Sequence, residues 1–275
     1  MLYVCPTPIG NLEDITLRVL RTLKEVDLIA AEDTRRTVKL LNHYEIKTPL
    51  ISLHEHNEAA RVDFLLEQLR AGKQIALVSD AGMPGISDPG RLLINAVIEA
   101  GIPCTVLPGA TAAVTAYVQS GILSDQFLFY GFLPRRGSER QAELVRLAQI
   151  PYPIVLYEAP HRLVETLSDL HRCLGNRRAS VSRELTKKFE ETMRGSLAEL
   201  LDYFAVQQPR GEFVITVAGS TGSEGAEAEI TEGDIKLALQ ELLDRGFTKK
   251  AAVQEVASRY RLPKNRIYKL ALDLD

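Results

Sequence analysis

Residues 74–90 read QIALVSDAGMPGISDPG. The short apolar run opens into a loop of glycines, prolines and aspartates, which is how a buried strand looks where it empties into a turn-rich connection. Pro84-Gly85 and Pro89-Gly90 suit the central positions of type II turns, where proline fixes φ and glycine supplies a positive φ. A loop of this kind presents main-chain N–H and C=O groups with few side chains in the way. A ligand lying against backbone needs that, although a plain tight connection uses the same residues.

Outward from this stretch, further strand-like runs recur: Leu2–Cys5, Asp27–Ala31, Leu50–Leu53, Gln74–Ser79, Cys104–Leu107, Phe127–Tyr130, Ile154–Tyr157, Ala179–Arg183 and Glu212–Ala218. Between them lie segments of helical period. NEAARVDFLLEQLRAG has Asn57 as its predicted N-cap and Gly72 past its end, and PHRLVETLSDLHRCLG stops at Gly175. Strands alternating with helices predict an α/β protein with largely parallel sheets. Two breaks, YVQSGILSDQ (117–126) and the acidic, Gly/Ser-rich GSTGSEGAEAEI (219–230), divide the chain. The expected organisation is an N-terminal α/β domain (1–118), a second α/β domain (119–222) and a small helical C-terminal domain (231–275). In the last, Thr231, Gly246, Thr248 and Pro263 serve as helix start and stop signals.

The chain of 275 residues is 45% apolar and 25% charged, an ordinary soluble composition. Its apolar runs fall far short of the ~20 residues that span a bilayer. The start MLYVCPTPIG has no signal-peptide pattern. Cys5, Cys104 and Cys173 are scattered and lack metal or disulfide spacing, and His54 and His56 have no further ligand nearby, so neither a metal nor a disulfide framework is expected. The cysteine usage fits a reducing cytoplasm. The net charge of −3 hides an asymmetry: between Arg245 and Lys269 stand eight Lys/Arg and one acid, after seven acids and one lysine in 223–244. Such a tail suits a polyanionic partner or simply a solvated face.

The unusual loops all follow strands: CPTPIGN, AEDTR, the 78–90 loop, PGATAA, YEAPHR and RELTKK. In parallel α/β sheets, ligands bind beyond the carboxyl ends of the strands, so these loops predict a cleft. Gly109 and Ala110 leave room before a helix N-terminus, which favours a carboxylate or phosphate. Neither glycine loop has the dinucleotide or P-loop spacing. Glu32, Asp33, Asp80, Asp88 and Glu158 each have the chemistry to orient a hydroxyl or accept its proton, or simply to cap turns.

The segments TPIGNLEDITLRVLRTLKEVDLIAAEDTRRTVKLL, VSDAGMPGISDPG, LPGATAAVTA, FLFYGFLPRRG, YEAPHRL, SRELTKKFEE and RGEFVITVAG, in this order, resemble the ribosomal RNA methyltransferase group of the tetrapyrrole methylase family. The resemblance spans nearly the whole chain. It implies two α/β domains with S-adenosyl-L-methionine between them, a homodimer, and 2′-O-methylation of cytidine 1402 in 16S rRNA of the small ribosomal subunit, in the cytoplasm. By the same resemblance the cofactor contacts fall on Ile9, Asp80, Met83, Pro84, Gly85, Ile86, Asp88, Gly109, Ala110, Tyr157, Glu158 and Ala218. The catalytic candidates are Asp33, Asp80 and Glu184, and no metal is required. RNA contacts are expected at Arg35, Arg36, Arg135, Arg136, His161, Arg162, Arg183, Lys187 and Lys188. The alternatives are a tetrapyrrole C-methyltransferase and a nonenzymatic RNA-binding module.

Overall fold

The computed structural model describes residues 1–207, 209–220, 232–244, 247–259 and 264–272. Its contacts divide the chain into two units, Met1–Ser220 and Thr221–Asp275.

The first unit contains two five-stranded sheets. In chain order the first half is β1 (Leu2–Val4), α1 (Leu17–Glu25), β2 (Leu28–Ala31), α2 (Thr34–His43), β3 (Leu50–Ser52), α3 (Glu58–Arg70), β4 (Ile75–Val78), α4 (Arg91–Glu99), β5 (Cys104–Val106) and α5 (Ala112–Ser120). All its strand pairs are parallel, in the order β3-β2-β4-β1-β5. Helices cover both faces, so the central strands are buried on both sides and read as continuous apolar runs; the four residues of β4 are all buried. One face packs Leu2, Val4, Ala30, Ile75 and Leu77 against α3 and α4; the other packs Ile29, Ala31, Ala76 and Val78 against Val19, Leu23 and Leu41. Each such aliphatic side chain contributes on the order of 1.5–3 kcal/mol when fully buried.

The chain crosses one way from β1 to β2 and the other way from β4 to β5, which opens a crevice between the loops after β1 and β4. Those loops are tied: the Thr7 and Gly82 amides donate to each other's carbonyls at 2.9 and 3.0 Å, and the Thr7 hydroxyl donates to the Ser79 carbonyl at 3.1 Å.

The second half runs β6 (Leu128–Phe132), α6 (Gly137–Ala148), β7 (Ile154–Glu158), α7 (Leu163–Leu174), β8 (Arg178–Arg183), β9 (Glu191–Ser196), α8 (Leu197–Val206) and β10 (Phe213–Val217). Its order is β6-β7-β10-β8-β9. Only β6 and β7 are parallel; β10 runs antiparallel to both β7 and β8, and β9 antiparallel to β8. The expectation of parallel sheets therefore holds for the first sheet and fails for the second. The strand missed in the sequence is β9, ETMRGS, a partly exposed edge strand without apolar alternation. One face of this sheet packs Leu156, Val181, Phe213 and Ile215 against Leu144, Leu167, Leu170 and Phe204 from α6, α7 and α8. The other takes Ala113, Ala116 and Tyr117 of α5 onto Val155 and Val214, so a helix from the first half lies on the second sheet.

Two predicted stop signals hold: Gly72 and Gly175 follow their helices with positive φ, 89° and 81°. Asn57 precedes α3, but its Oδ1 accepts from the His54 amide at 2.8 Å and makes no cap bond.

The second unit consists, among the described residues, of α9 (Glu232–Asp244), α10 (Lys249–Arg259) and α11 (Lys264–Leu272), packed around Ile235, Leu239, Val256 and Ile267. Thr248 caps α10, its Oγ1 accepting from the Ala251 amide at 3.3 Å. The signals at Thr231, Gly246 and Pro263, and Arg245 and Arg261 of the basic run, lie outside the described residues. No helix is long and apolar enough to cross a membrane among the described residues.

Candidate active site

A cavity of about 320 Å³ opens between the two sheets. The first half contributes Ile9 after β1, Ala81 to Met83 and Ile86 to Asp88 after β4, and Thr111 and Ala112 at the start of α5. The second half contributes Phe132 after the bulge in β6, Tyr157 and Glu158 at the end of β7 with Ala159 and Pro160 beyond it, Leu185 after β8, and Glu212 to Val214 at the beginning of β10.

The loop that follows β4 is built as its composition predicts. Gly85 and Gly90 have φ of 78° and 118°, and Gly82, which lines the cavity, also has φ of 78°. Gly90 additionally sits against Leu77, whose Cδ2 would lie 2.7 Å from an added Cβ. The helix after this loop offers no open anion site. The buried Glu58 carboxylate, reaching from α3, accepts from the amides of Gly90, Leu92 and Leu93 at 3.0, 2.9 and 3.2 Å, closing the α4 N-terminus. The α5 N-terminus differs: Thr111 makes no side-chain cap bond, Thr111 and Ala112 face the cavity, and the Ala113 amide donates to the Tyr157 hydroxyl at 3.2 Å.

Of the expected cofactor contacts, Ile9, Met83, Ile86, Asp88, Tyr157 and Glu158 line this cavity. Pro84, Gly85, Gly109 and Ala110 do not, and build the surrounding backbone. A Cβ on Gly85 would come within 3.1 Å of Ile94, one on Gly109 would collide with the Pro6 ring, and the Ala110 carbonyl stands near Gly82. Ala218, a cofactor contact implied by the resemblance, does not line the cavity. Because β10 runs antiparallel, its first residue pairs with Glu158 at the cavity and Val217 with Ile154 at the far end. Ala218 thus lies five residues from Phe213, roughly 17 Å at ~3.4 Å per residue. What reaches the cavity is Glu212, Phe213 and Val214.

None of the three catalytic candidates lines the cavity; each is engaged elsewhere. Asp33 caps α2, its Oδ1 accepting from the Arg35 amide at 2.8 Å, and pairs with the Arg35 guanidinium at 2.7 Å. These bonds hold its carboxyl well below the ordinary range. Asp80 Oδ1 accepts from the Asp33 amide at 3.0 Å and Oδ2 faces Arg36 at 3.3 Å. Glu184, at a positive φ of 51°, has its Oε1 3.0 Å from Lys187 Nζ and 3.1 Å from the Glu212 amide. Burial pushes its carboxyl up, but the bonds from Lys187 and Glu212 outweigh it and leave the carboxyl below its usual value.

Three carboxylates do line the cavity, and two are spoken for. Glu158 is buried, with Oε1 taking the Ala159 amide at 2.8 Å and lying 3.4 Å from Arg162, and Oε2 taking the Thr166 hydroxyl at 2.6 Å. Glu212 is exposed and paired with Lys187 at 2.9 Å. Asp88 has no cation partner among the described residues; burial, then the charges of Glu32 and Asp80, push its carboxyl up to about 6. Glu32 is itself raised, chiefly by burial, and Tyr157 is raised by burial and by the Asp88 charge.

The expected RNA contacts divide by availability. Arg135, Arg136, His161 and Lys188 are exposed, Lys188 lying 5.7 Å from the Phe189 ring centre. Arg35 and Arg36 are exposed although paired with Asp33 and Asp80. Arg162 and Lys187 are tied down: Arg162 donates to the Leu133 carbonyl at 2.9 Å, and Lys187 bridges Glu184 and Glu212. Arg183 is partly buried, 3.8 Å from Glu191.

A parallel sheet and a mixed sheet, both covered by helices, face one cavity and define an α/β fold with its ligand site between two sheets. The chain belongs to the family described as Tetrapyrrole (Corrin/Porphyrin) Methylases, whose model matches residues 1–201. Among curated proteins it is similar to Ribosomal RNA small subunit methyltransferase I of Synechocystis sp., at 47% identity over 100% of this chain and 98% of the relative. The protein of that name from Bacillus subtilis is 47% identical over 98% of this chain and 92% of its own. Among solved structures, uroporphyrin-III C-methyltransferase from Thermus thermophilus complexed with S-adenyl homocysteine shares the fold, with a TM-score of 0.57 and 19% identity over 78% of this chain and 96% of that one.

Proposed function

We propose that the chain uses S-adenosyl-L-methionine to methylate a ribose 2′-oxygen of a cytidine in 16S rRNA of the small ribosomal subunit. The observation that carries this reading is the cavity between the two sheets, with one lining carboxylate that has no cation partner among the described residues, in a chain similar along its whole length to relatives of that name.

The residues present fit the cofactor. Leu185, Phe213, Val214 and Ile9 offer apolar walls for an adenosine, Ala81 and Gly82 offer close backbone, and the α5 N-terminus at Thr111 and Ala112 suits an amino-acid carboxylate. When bound, the cofactor supplies a methyl group on a positively charged sulfur. The two halves align the ribose hydroxyl with that methyl, and alignment of this kind is worth up to ~7–11 kcal/mol of barrier. Asp88 accepts the hydroxyl proton on its carboxylate, which a value near 6 leaves ionised yet basic at neutral pH. This role replaces those expected of Asp33, Asp80 and Glu184; Glu32 and Asp80 act on Asp88 through their charge. Arg135, Arg136, His161 and Lys188, with the basic tail, meet phosphates.

The protein acts in the cytoplasm, as a homodimer. Val106 on the edge strand β5, Val114 and Val118 one turn apart on α5, and Leu123 beyond it are exposed apolar side chains that support a contact with a second copy. The decisive test is transfer from labelled cofactor to small ribosomal subunits lacking the mark, with mapping of the modified nucleotide. One methyl on one cytidine ribose is the expected result; methylation of a tetrapyrrole carbon instead overturns the reading.

A further inference from the structure

One half-exposed aromatic in the cavity is placed there by a defect in its strand. In a regular β6, Phe132 shares a face with Leu128 and Tyr130, which pack on the core under α6 and α7. The register of β6 on β7 instead shifts between Phe129 and Gly131: Phe129 pairs with Val155, Gly131 with Leu156 and Phe132 with Tyr157. The extra residue turns Phe132 over to the face of Phe129 and Tyr157, as a one-residue bulge does. Gly131 makes this possible with a φ of 82°.

The ring so placed is rigidly mounted. It meets Tyr157 edge to face at 5.6 Å, Tyr157 meets Phe129 at 5.0 Å, and the Tyr157 hydroxyl is held by the Ala113 amide. The chain just beyond is pinned: Arg162 donates to the Leu133 carbonyl at 2.9 Å and the buried Arg140 to the Pro134 carbonyl at 3.0 Å. Phe132 nevertheless stays 53% exposed, and the next exposed side chains are Arg135 and Arg136. A fixed, open aromatic face at a cavity mouth, followed by free cations, is what unpaired nucleobases stack on while phosphates are held nearby.

We propose that Phe132 is the stacking platform for the nucleobase of the nucleotide whose ribose is methylated; this assignment rests on the RNA-methylation reading. An enzyme acting on a nucleotide within folded RNA must hold it out of its stack, and a sequence-tolerant π-face provides a landing surface.

The test begins with wild-type protein and unmethylated small subunits; no transfer there removes the RNA reading and the platform together. Given transfer, Phe132→Ala lowers kcat/KM for subunits roughly ten- to a hundredfold, the range for losing one base stack, while S-adenosylhomocysteine affinity stays within about twofold. Phe132→Leu, apolar but without a π-face, remains low, and Phe132→Tyr recovers. Phe132→Trp introduces the sole tryptophan of the chain. Its emission is quenched by unmethylated small subunits and not by large subunits. Full activity in Phe132→Ala or Phe132→Leu, loss of S-adenosylhomocysteine affinity in Phe132→Ala, or an unquenched Phe132→Trp overturns the platform and leaves the RNA reading standing.

Discussion

The two sheets wall the same cavity by different means. In the first, every strand runs the same way, so each functional loop follows a strand's carboxyl end. In the second, β7 and β8 obey that rule while β10, threaded between them in the opposite sense, delivers its beginning. A parallel sheet thus announces its ligand side through loops, whereas in a mixed sheet the side depends on the direction of each strand.

The largest expected effect tests the first sheet's contribution. Asp88→Asn lowers kcat by roughly 10²–10⁴-fold, the usual worth of a positioned base. In the wild type the rate rises as pH passes through about 6, where Asp88 loses its proton, and steady-state profiles of the two proteins check this. Stability moves the other way. Because the folded carboxyl is raised above its ordinary 3.8, the stability it lends is full below that value and lost as pH rises through about 6. Asp88→Asn therefore melts higher than wild type at pH 7 to 8, and the difference closes below about pH 4.

A smaller effect separates the two helix ends at the cavity. Glu58→Ala strips three amides at the α4 N-terminus of their acceptor and costs about 1–3 kcal/mol in denaturant unfolding, the range for unsatisfied buried donors. Smallest of all is the phosphate term. Arg135→Ala and Arg136→Ala each reduce the slope of log K for subunit binding against log salt by about 0.7, the value for one single-strand phosphate contact.

The sequence was most readable where local chemistry and direction agree. IALV and the 78–90 loop declared a buried strand and a backbone-presenting turn, and the positive φ of Gly85 and Gly90 follows from that chemistry. Asp88 and Glu158 were legible as acids where strands end, whereas Tyr157 came only from the family resemblance; all three line the cavity. Ala218 was carried over from the family resemblance, and lies away from the cavity because β10 runs antiparallel; that reversal follows from strand pairing, which is long-range, and β9, the polar edge strand between β8 and α8, carries no periodic signal. Phe132 escaped because a bulge breaks the two-residue period from which its face would be read. The catalytic candidates lie outside the cavity lining for another reason. Asp33, Asp80 and Glu184 sit beside the site, but their hydrogen-bonding capacity is taken by neighbouring amides and cations, which only coordinates reveal.

The reversal of β10 is the central claim, and one pair of substitutions addresses it. Val214 lines the cavity and Ala218 lies at the opposite end of the strand. Calorimetric titration with S-adenosylhomocysteine is predicted to show at least a tenfold loss of affinity for Val214→Asp, which puts a carboxylate in an apolar wall. Ala218→Ser is predicted to bind within about twofold of wild type. Undiminished affinity in Val214→Asp, or a tenfold loss in Ala218→Ser, would contradict the account.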